Sequence, residues 1–152
     1  MVRRRALPCD GLQRSNRMPT VPIVFRTMIP DPDGLPRAGA SLRTLGARPG
    51  VDIPVDGDGN VKPRTGGMSV TADDPKRIPK PVRPRSLGGE SRDTLFSMDT
   101  AVIPPSLVVR ADKPAPPGGI ASLHRVVEPS EACSFGAYQF ELHGTRKSWR
   151  AA

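Results

Sequence analysis

Nineteen prolines are spread along the 152 residues of this chain, and no other residue type restricts its fold as much. Each proline fixes φ, removes a backbone donor, and costs about 3 kcal/mol in a helix interior. They are not massed into repeats, and short β-branched runs stand between them. The chain therefore reads as many short strands joined by rigid loops, with long helices excluded from its first two thirds. Its length fits one domain with a modest core. That core has to be economical, because only 36% of the residues are hydrophobic and 4% aromatic.

The formal charge is +8 and the sequence pI about 10.5. Such a balance attracts nucleic acid, anionic surfaces and phosphate-bearing cofactors, and it equally fits a soluble arginine-rich protein. Nucleic-acid binding usually adds stacking aromatics, and four Phe, one Tyr and one Trp offer little to stack on. Cys9, Cys133 and two histidines form no metal pattern, so no metal is expected. A disulfide is not expected, because Cys9 lies in an arginine-rich, tail-like segment without periodicity. No apolar run approaches the roughly 20 residues of a membrane span. Residues 1–18 are basic and lack the apolar segment of a secretory signal; they read as a disordered extension to a domain over 19–150, with Met18 as an alternative start. The expected location is the producer's cytoplasm, with any export by a route that needs no such signal.

Val21–Met28 is the first convincing strand, with Val24, Arg26 and Met28 on one face and Ile23, Phe25 and Thr27 on the other. Arg26 between apolar neighbours calls for snorkelling or an anionic partner. Ala40–Ala47 reads as a short helical turn with Leu42 and Leu45 inward. Asp56-Gly57-Asp58-Gly59-Asn60 suggests a calcium loop only superficially, because Gly67 stands where an EF-hand needs its closing Glu; a hairpin turn between Val55 and Val61 fits better. Thr94–Met98 and Leu107–Asp112 are further strands. Thr71–Arg85 is a proline-punctuated loop with five cationic residues, suited to a solvated surface or to a rim that attracts a phosphorylated ligand. Ser130 reads as the cap of a helix over Ala132–Leu142 with Phe135, Tyr138 and Leu142 inside, stopped near Gly144, and Trp149 anchors a basic tail.

Two stretches are candidate sites. In Arg64-Thr65-Gly66-Gly67-Met68-Ser69-Val70 a glycine pair leads into a strand carrying a hydroxyl, which is either plain turn chemistry or a place where backbone passes close to a ligand. In Ile120–Glu128, alternation puts Ser122, His124 and Glu128 on one face, either a polar edge or a reactive set.

Taken in order, Phe25-Arg26, the Pro49–Pro54 segment, Thr65-Gly66-Gly67-x-Ser69-Val70, Arg83-Pro84 through Gly88-Gly89, Ile103-Pro104-Pro105-x-Leu107, Arg110-x-Asp112 and His124-x-x-x-Glu128-Pro129 resemble bacterial cytotoxins with an ADP-ribosyltransferase-like fold, including effectors exported by type VI secretion. The resemblance spans Val21 to Trp149. It implies an α+β fold with a split, twisted β-sheet, few short helices, and NAD bound as substrate in the cleft between the sheet halves.

The resemblance also implies roles. Arg26 would organise the NAD site or its phosphates, Ser69 would order the nicotinamide ribose, and Gly66 and Gly67 would clear room beside it. Glu128 would stabilise the oxocarbenium-like charge as the nicotinamide bond breaks, with His124 near enough to orient it. Arg48, Arg83 and Arg85 are further candidates for the diphosphate. Val126 stands where arginine-modifying relatives carry the first residue of a Glu/Gln-x-Glu signature, so the macromolecular acceptor stays open, with hydrolysis of NAD as the other outcome. A small acidic antitoxin is the expected partner. The competing expectations are a basic nucleic-acid-binding protein and an inactive scaffold of the same fold.

Overall fold

The computed structural model describes residues 22–112 and 123–152. The expectations for residues 1–18, for Cys9, and for Ile120 and Ser122 lie outside these.

Among the described residues, eight strands and one α-helix form an α+β fold. In chain order the strands are β1 (Ile23–Met28), β2 (Asn60–Val61), β3 (Met68–Ala72), β4 (Thr94–Asp99), β5 (Leu107–Ala111), β6 (His124–Pro129), β7 (Cys133–Ser134) and β8 (Arg150–Ala151); helix α1 is Phe135–Gly144. Six of them build one sheet in the order β5-β6-β3-β1-β4-β8, and β2 pairs with β7 in a small second sheet. Every pairing is antiparallel.

The sheet parts in its middle. β1 pairs with β4 along all six residues, but with β3 only at Val24↔Ala72 and Phe25↔Thr71. From Arg26 onward β1 leaves β3, whose lower half is held by β6 alone through Met68↔Val127 and Ser69↔Val126.

One face of the sheet carries the core. Val24, Met28, Met68, Val70, Phe96, Met98, Leu107 and Val127 pack against Leu45, Ile53, Val61, Tyr138, Leu142 and Trp149. These residues alternate along their strands, as a one-sided sheet requires. Trp149 is fully buried, and its Nε1 donates to Thr145 Oγ1 at 3.0 Å. The terminal segment is thus more than a tail: Arg150–Ala151 joins the sheet beside β4.

Three local expectations differ from the structure. Ala40–Ala47 forms turns rather than a helical turn; Leu45 is buried, but Leu42 is 40% exposed. The reason lies in Thr44, whose carbonyl turns to the Arg26 guanidinium instead of to an amide farther along a helix, while Ser41 O closes a single turn with Thr44 N–H and also accepts from Arg26. The Asp56–Asn60 turn forms, closed by Gly59 N–H to Asp56 O at 3.0 Å and Asp56 N–H to Asn60 O at 2.9 Å, but Val61 pairs with Cys133 rather than with Val55. Ser130 does not cap the helix, because Cys133–Ser134 are drawn into β7 against β2 and the helix starts only at Phe135. Ser134 caps it instead, accepting from Ala137 N at 3.1 Å, which is the three-residue offset a cap requires.

Gly136 sits in the first turn of α1 with nothing near the position a Cβ would take. Gly136→Ala should therefore raise stability by about 0.5–1 kcal/mol, read as a higher urea midpoint at unchanged slope.

Candidate functional site

Alternation and register place Phe25 and Thr27 of β1, Ser69 and Thr71 of β3, and His124, Val126 and Glu128 of β6 on the face opposite the core. There a cleft of about 290 Å³ opens where β1 and β3 separate. Phe25, Thr27, Ser69, Thr71 and His124 form its floor, and Ile78, Pro79, Pro81 and Val82 form the opposite wall. The volume is at the lower end of the 300–1,000 Å³ typical of small-molecule sites, and the lining combines apolar surface with a few polar groups. The proline-punctuated segment makes that wall because its short turns present Ile78 inward, while Lys76, Arg77 and Lys80 stay exposed beside it.

Two hydroxyls, those of Thr27 and Ser69, border the cleft. Thr27 Oγ1 is buried with no hydrogen-bond partner among the described residues, and a buried polar atom without a partner costs free energy that a ligand can recover. Ser69 contributes its backbone carbonyl to Arg26 at 2.7 Å, which leaves its side chain to the cleft it lines.

Arg26 stands at the point of separation and is only 6% exposed. Its Nε and Nη2 both donate to Thr44 O at 3.2 and 2.9 Å, Nη2 also to Ser41 O at 3.2 Å, and Nη1 to Ser69 O. Four of the five guanidinium N–H groups are thereby used on backbone carbonyls. The expected snorkelling or anion pairing does not occur; carbonyl dipoles surround the buried charge instead. Burial pulls its pKa down to about 10, with Asp52 opposing the shift and Arg48 adding to it. This geometry makes Arg26 a brace across the divided strands.

Glu128 is 1% exposed. Oε2 accepts from Arg64 N–H at 3.0 Å, and Oε1 is held by Arg110 Nε in a short contact. Arg64 lies in the left-handed region at φ 65°, so the carboxylate fixes an uncommon turn immediately before Gly66. His124 does not orient Glu128. Four strand residues span about 13 Å, Val126 stands between them, and His124 Nδ1 meets Asp112 Oδ2 at 3.1 Å. Ser69 faces Val126 and is the diagonal neighbour of both.

The glycine pair clears room for protein rather than for open space. A Cβ on Gly66 would stand 2.3 Å from Asp52 O, and one on Gly67 would stand 2.4 Å from Val127 O and 3.1 Å from Tyr138 Oη. Gly67 N–H donates to Asp52 O at 2.9 Å. Tyr138 Oη accepts from Met68 N–H at 3.1 Å and donates to Val127 O, and burial pushes its pKa up.

The remaining arginines are set apart from the cleft floor. Arg48 is tied to Asp52, with Nη2 to Oδ1 at 2.8 Å and its backbone N–H to Oδ2 at 2.7 Å; hydrogen bonding to that carboxylate raises its pKa. Arg83 donates to Lys76 O at 2.8 Å, bracing the loop. Arg85 is exposed on the short helical turn that follows. None of the three lines the cleft.

Sequence reading did not single out Thr27, Asp112 and Arg64 as site residues, and although it placed Tyr138 on the inner face of the helix, as found, it missed that residue's bonds to Met68 and Val127. Asp112 had a usable signal: it stands two residues after Arg110 on a strand, so both reach the face of the strand that pairs with them. The Tyr138 bonds had none, since only the fold brings helix α1 onto the start of β3.

Among the described residues no helix is long and apolar enough to cross a membrane, and no group of three or more His, Cys, Asp or Glu could hold a metal ion. A scan against protein-family models and searches of curated proteins and of solved structures found no match to this chain.

Proposed function

We propose that the protein is an NAD-consuming toxin that binds the nicotinamide end of NAD in the cleft between β1 and β3, and transfers ADP-ribose to a macromolecule of the target cell or to water. The observation that supports this most is the parting of the sheet after Phe25↔Thr71, which opens an apolar cleft bordered by Thr27, Ser69 and His124. The flat pyridine ring is suited to the slot between Phe25 and the proline wall, and the two hydroxyls to the carboxamide and ribose. The adenine and diphosphate then extend beyond a cleft of this size, along the exposed cations Lys76, Arg77 and Lys80. Glu128 lies one strand pair farther along, and its charge reaches the ribosyl carbon only when Arg110 turns away from it. An acidic immunity protein is suited to the same cationic rim.

The test is release of nicotinamide from NAD by the purified chain, with growth of a host cell followed on induced expression. Nicotinamide release and growth arrest are expected from the wild type, and Ser69→Ala should lower release about tenfold or more while leaving the urea midpoint nearly unchanged. Wild-type protein that neither binds nor cleaves NAD would overturn the proposal, as would a Ser69→Ala variant with full turnover.

A further inference from the structure

The His124–Asp112 pair has a chemistry of its own. Asp112 follows directly on β5, one residue beyond Ala111↔Arg125, which puts it opposite His124 on the same sheet face. Its Oδ2 lies 3.1 Å from His124 Nδ1. Both side chains are about a third exposed, at 35% for His124 and 39% for Asp112, and His124 lines the cleft beside Ser69 and Thr71. A carboxylate at Nδ1 accepts a proton from that nitrogen, which fixes the tautomer and leaves the lone pair on Nε2. An imidazole held this way, at a cleft wall, is arranged to take a proton from a nucleophile.

We infer that His124 is the general base for the group that attacks the ribosyl carbon, that Asp112 is its positioning residue, and that the acceptor is a group that must lose a proton on attack, such as water or a hydroxyl, rather than a carboxylate. This rests on the NAD reading of the cleft. A hydroxyl or water is a weak nucleophile until its proton has somewhere to go, whereas a carboxylate acceptor would need no base. In the step, the bond from ribose C1′ to the nicotinamide nitrogen breaks, and its electron pair leaves with neutral nicotinamide. The acceptor oxygen bonds to C1′, and its proton passes to His124 Nε2.

The charged and titratable groups around His124 are consistent with this assignment. Asp112 and Arg110 face it from β5, Glu128 lies along its own strand, and β3 presents only the hydroxyls of Thr71 and Ser69. Arg125 donates to the His124 carbonyl at 3.1 Å, which involves the backbone rather than the ring. Across the cleft stand Arg77 and Lys80, flanking the apolar residues of the wall. Asp112 is the carboxylate that meets His124 Nδ1.

Two measurements on the full chain test the inference. Long-range proton–nitrogen spectra need to resolve only two histidines, His124 and His143, and His143→Gln assigns them. The wild type should show the Nδ1–H tautomer for His124, and Asp112→Ala should lose that preference. The second measurement is nicotinamide release from NAD in water and with added methanol. Asp112→Ala should lower kcat about tenfold or more at nearly unchanged KM, and His124→Gly should lose about 100-fold and recover in part with added imidazole. Methanol should divert product from ADP-ribose to its 1-O-methyl derivative if a hydroxyl can compete with water, and it should do so less in His124→Gly. An Nε2–H tautomer in the wild type, an Asp112→Ala variant with unchanged kcat, or no response of His124→Gly to imidazole would overturn the role of the pair while nicotinamide release by the wild type persists. No release by the wild type would instead overturn the NAD reading, and the inference with it.

Discussion

Arg26→Gln should cost about 3–5 kcal/mol of unfolding free energy, read from urea denaturation of the purified variants. That is a large fraction of the 5–15 kcal/mol typical of a domain. The guanidinium crosses the gap between β1 and β3 and satisfies the carbonyls of Ser41, Thr44 and Ser69 at once. Ser41 O keeps the Thr44 N–H as a donor, but glutamine cannot serve both the Thr44 and the Ser69 carbonyl, and the one it misses loses its donor. Arg26→Lys keeps the charge but replaces a planar fork by a single head group, so an intermediate loss is expected. The charge itself is unfavourable in this position. Its folded pKa, about 10, lies below the ordinary arginine value, so the unfolded chain binds this proton more tightly. The cost of burying the charge is present in full below pH 10 and is relieved as the pH rises above it. The three carbonyls are what offset it. If Arg26→Gln unfolded at the wild-type midpoint and lost only NAD binding, the brace would be the wrong description and a direct contact with the ligand the right one.

Strands were the legible part of this fold because their signals are local. The alternation in Val21–Met28 and Ile120–Glu128 and the β-branched run in Leu107–Asp112 predict strands where β1, β6 and β5 lie, without any knowledge of partners. What the residues around Arg26 do could not be read that way. Ser41 and Thr44 look like turn or helix residues until an arginine eighteen positions earlier claims the Thr44 carbonyl. The cap shows the same limit: Ser130 and Ser134 are both good candidates, and pairing of β7 with β2, more than seventy residues apart, decides between them. At the site, the one-face rule grouped His124 with Glu128, and only the β3–β6 register adds Ser69 to that face; spacing along a strand is about 3.3 Å per residue. Sharing a face therefore did not mean sharing a hydrogen bond, and each of the two titratable residues found its partner on β5 or on the residue that follows it.

Gly66→Ala and Gly67→Ala should each cost about 3 kcal/mol or more, for different reasons. At Gly66 the backbone holds φ at 147°, and a Cβ would meet Asp52 O at 2.3 Å, so conformational strain adds to the clash. At Gly67 the backbone suits any residue, but a Cβ would press on the Val127 carbonyl at 2.4 Å. That carbonyl also accepts from Tyr138 Oη, so β6 cannot retreat without disturbing the buried tyrosine and, through it, the amide of Met68. Gly57→Ala, with no atom near the added carbon, should change the urea midpoint little and serves as the control. The comparison separates two uses of a glycine pair at the mouth of a strand. Where the pair admits a ligand, alanine lowers affinity and leaves stability intact; where it admits a neighbouring strand, alanine lowers stability first. The contacts of Gly66 and Gly67 are with Asp52 and Val127, so stability should fall first, and any loss of nicotinamide release should follow the fraction of protein unfolded. A stable Gly67→Ala variant that no longer releases nicotinamide would return the pair to the ligand.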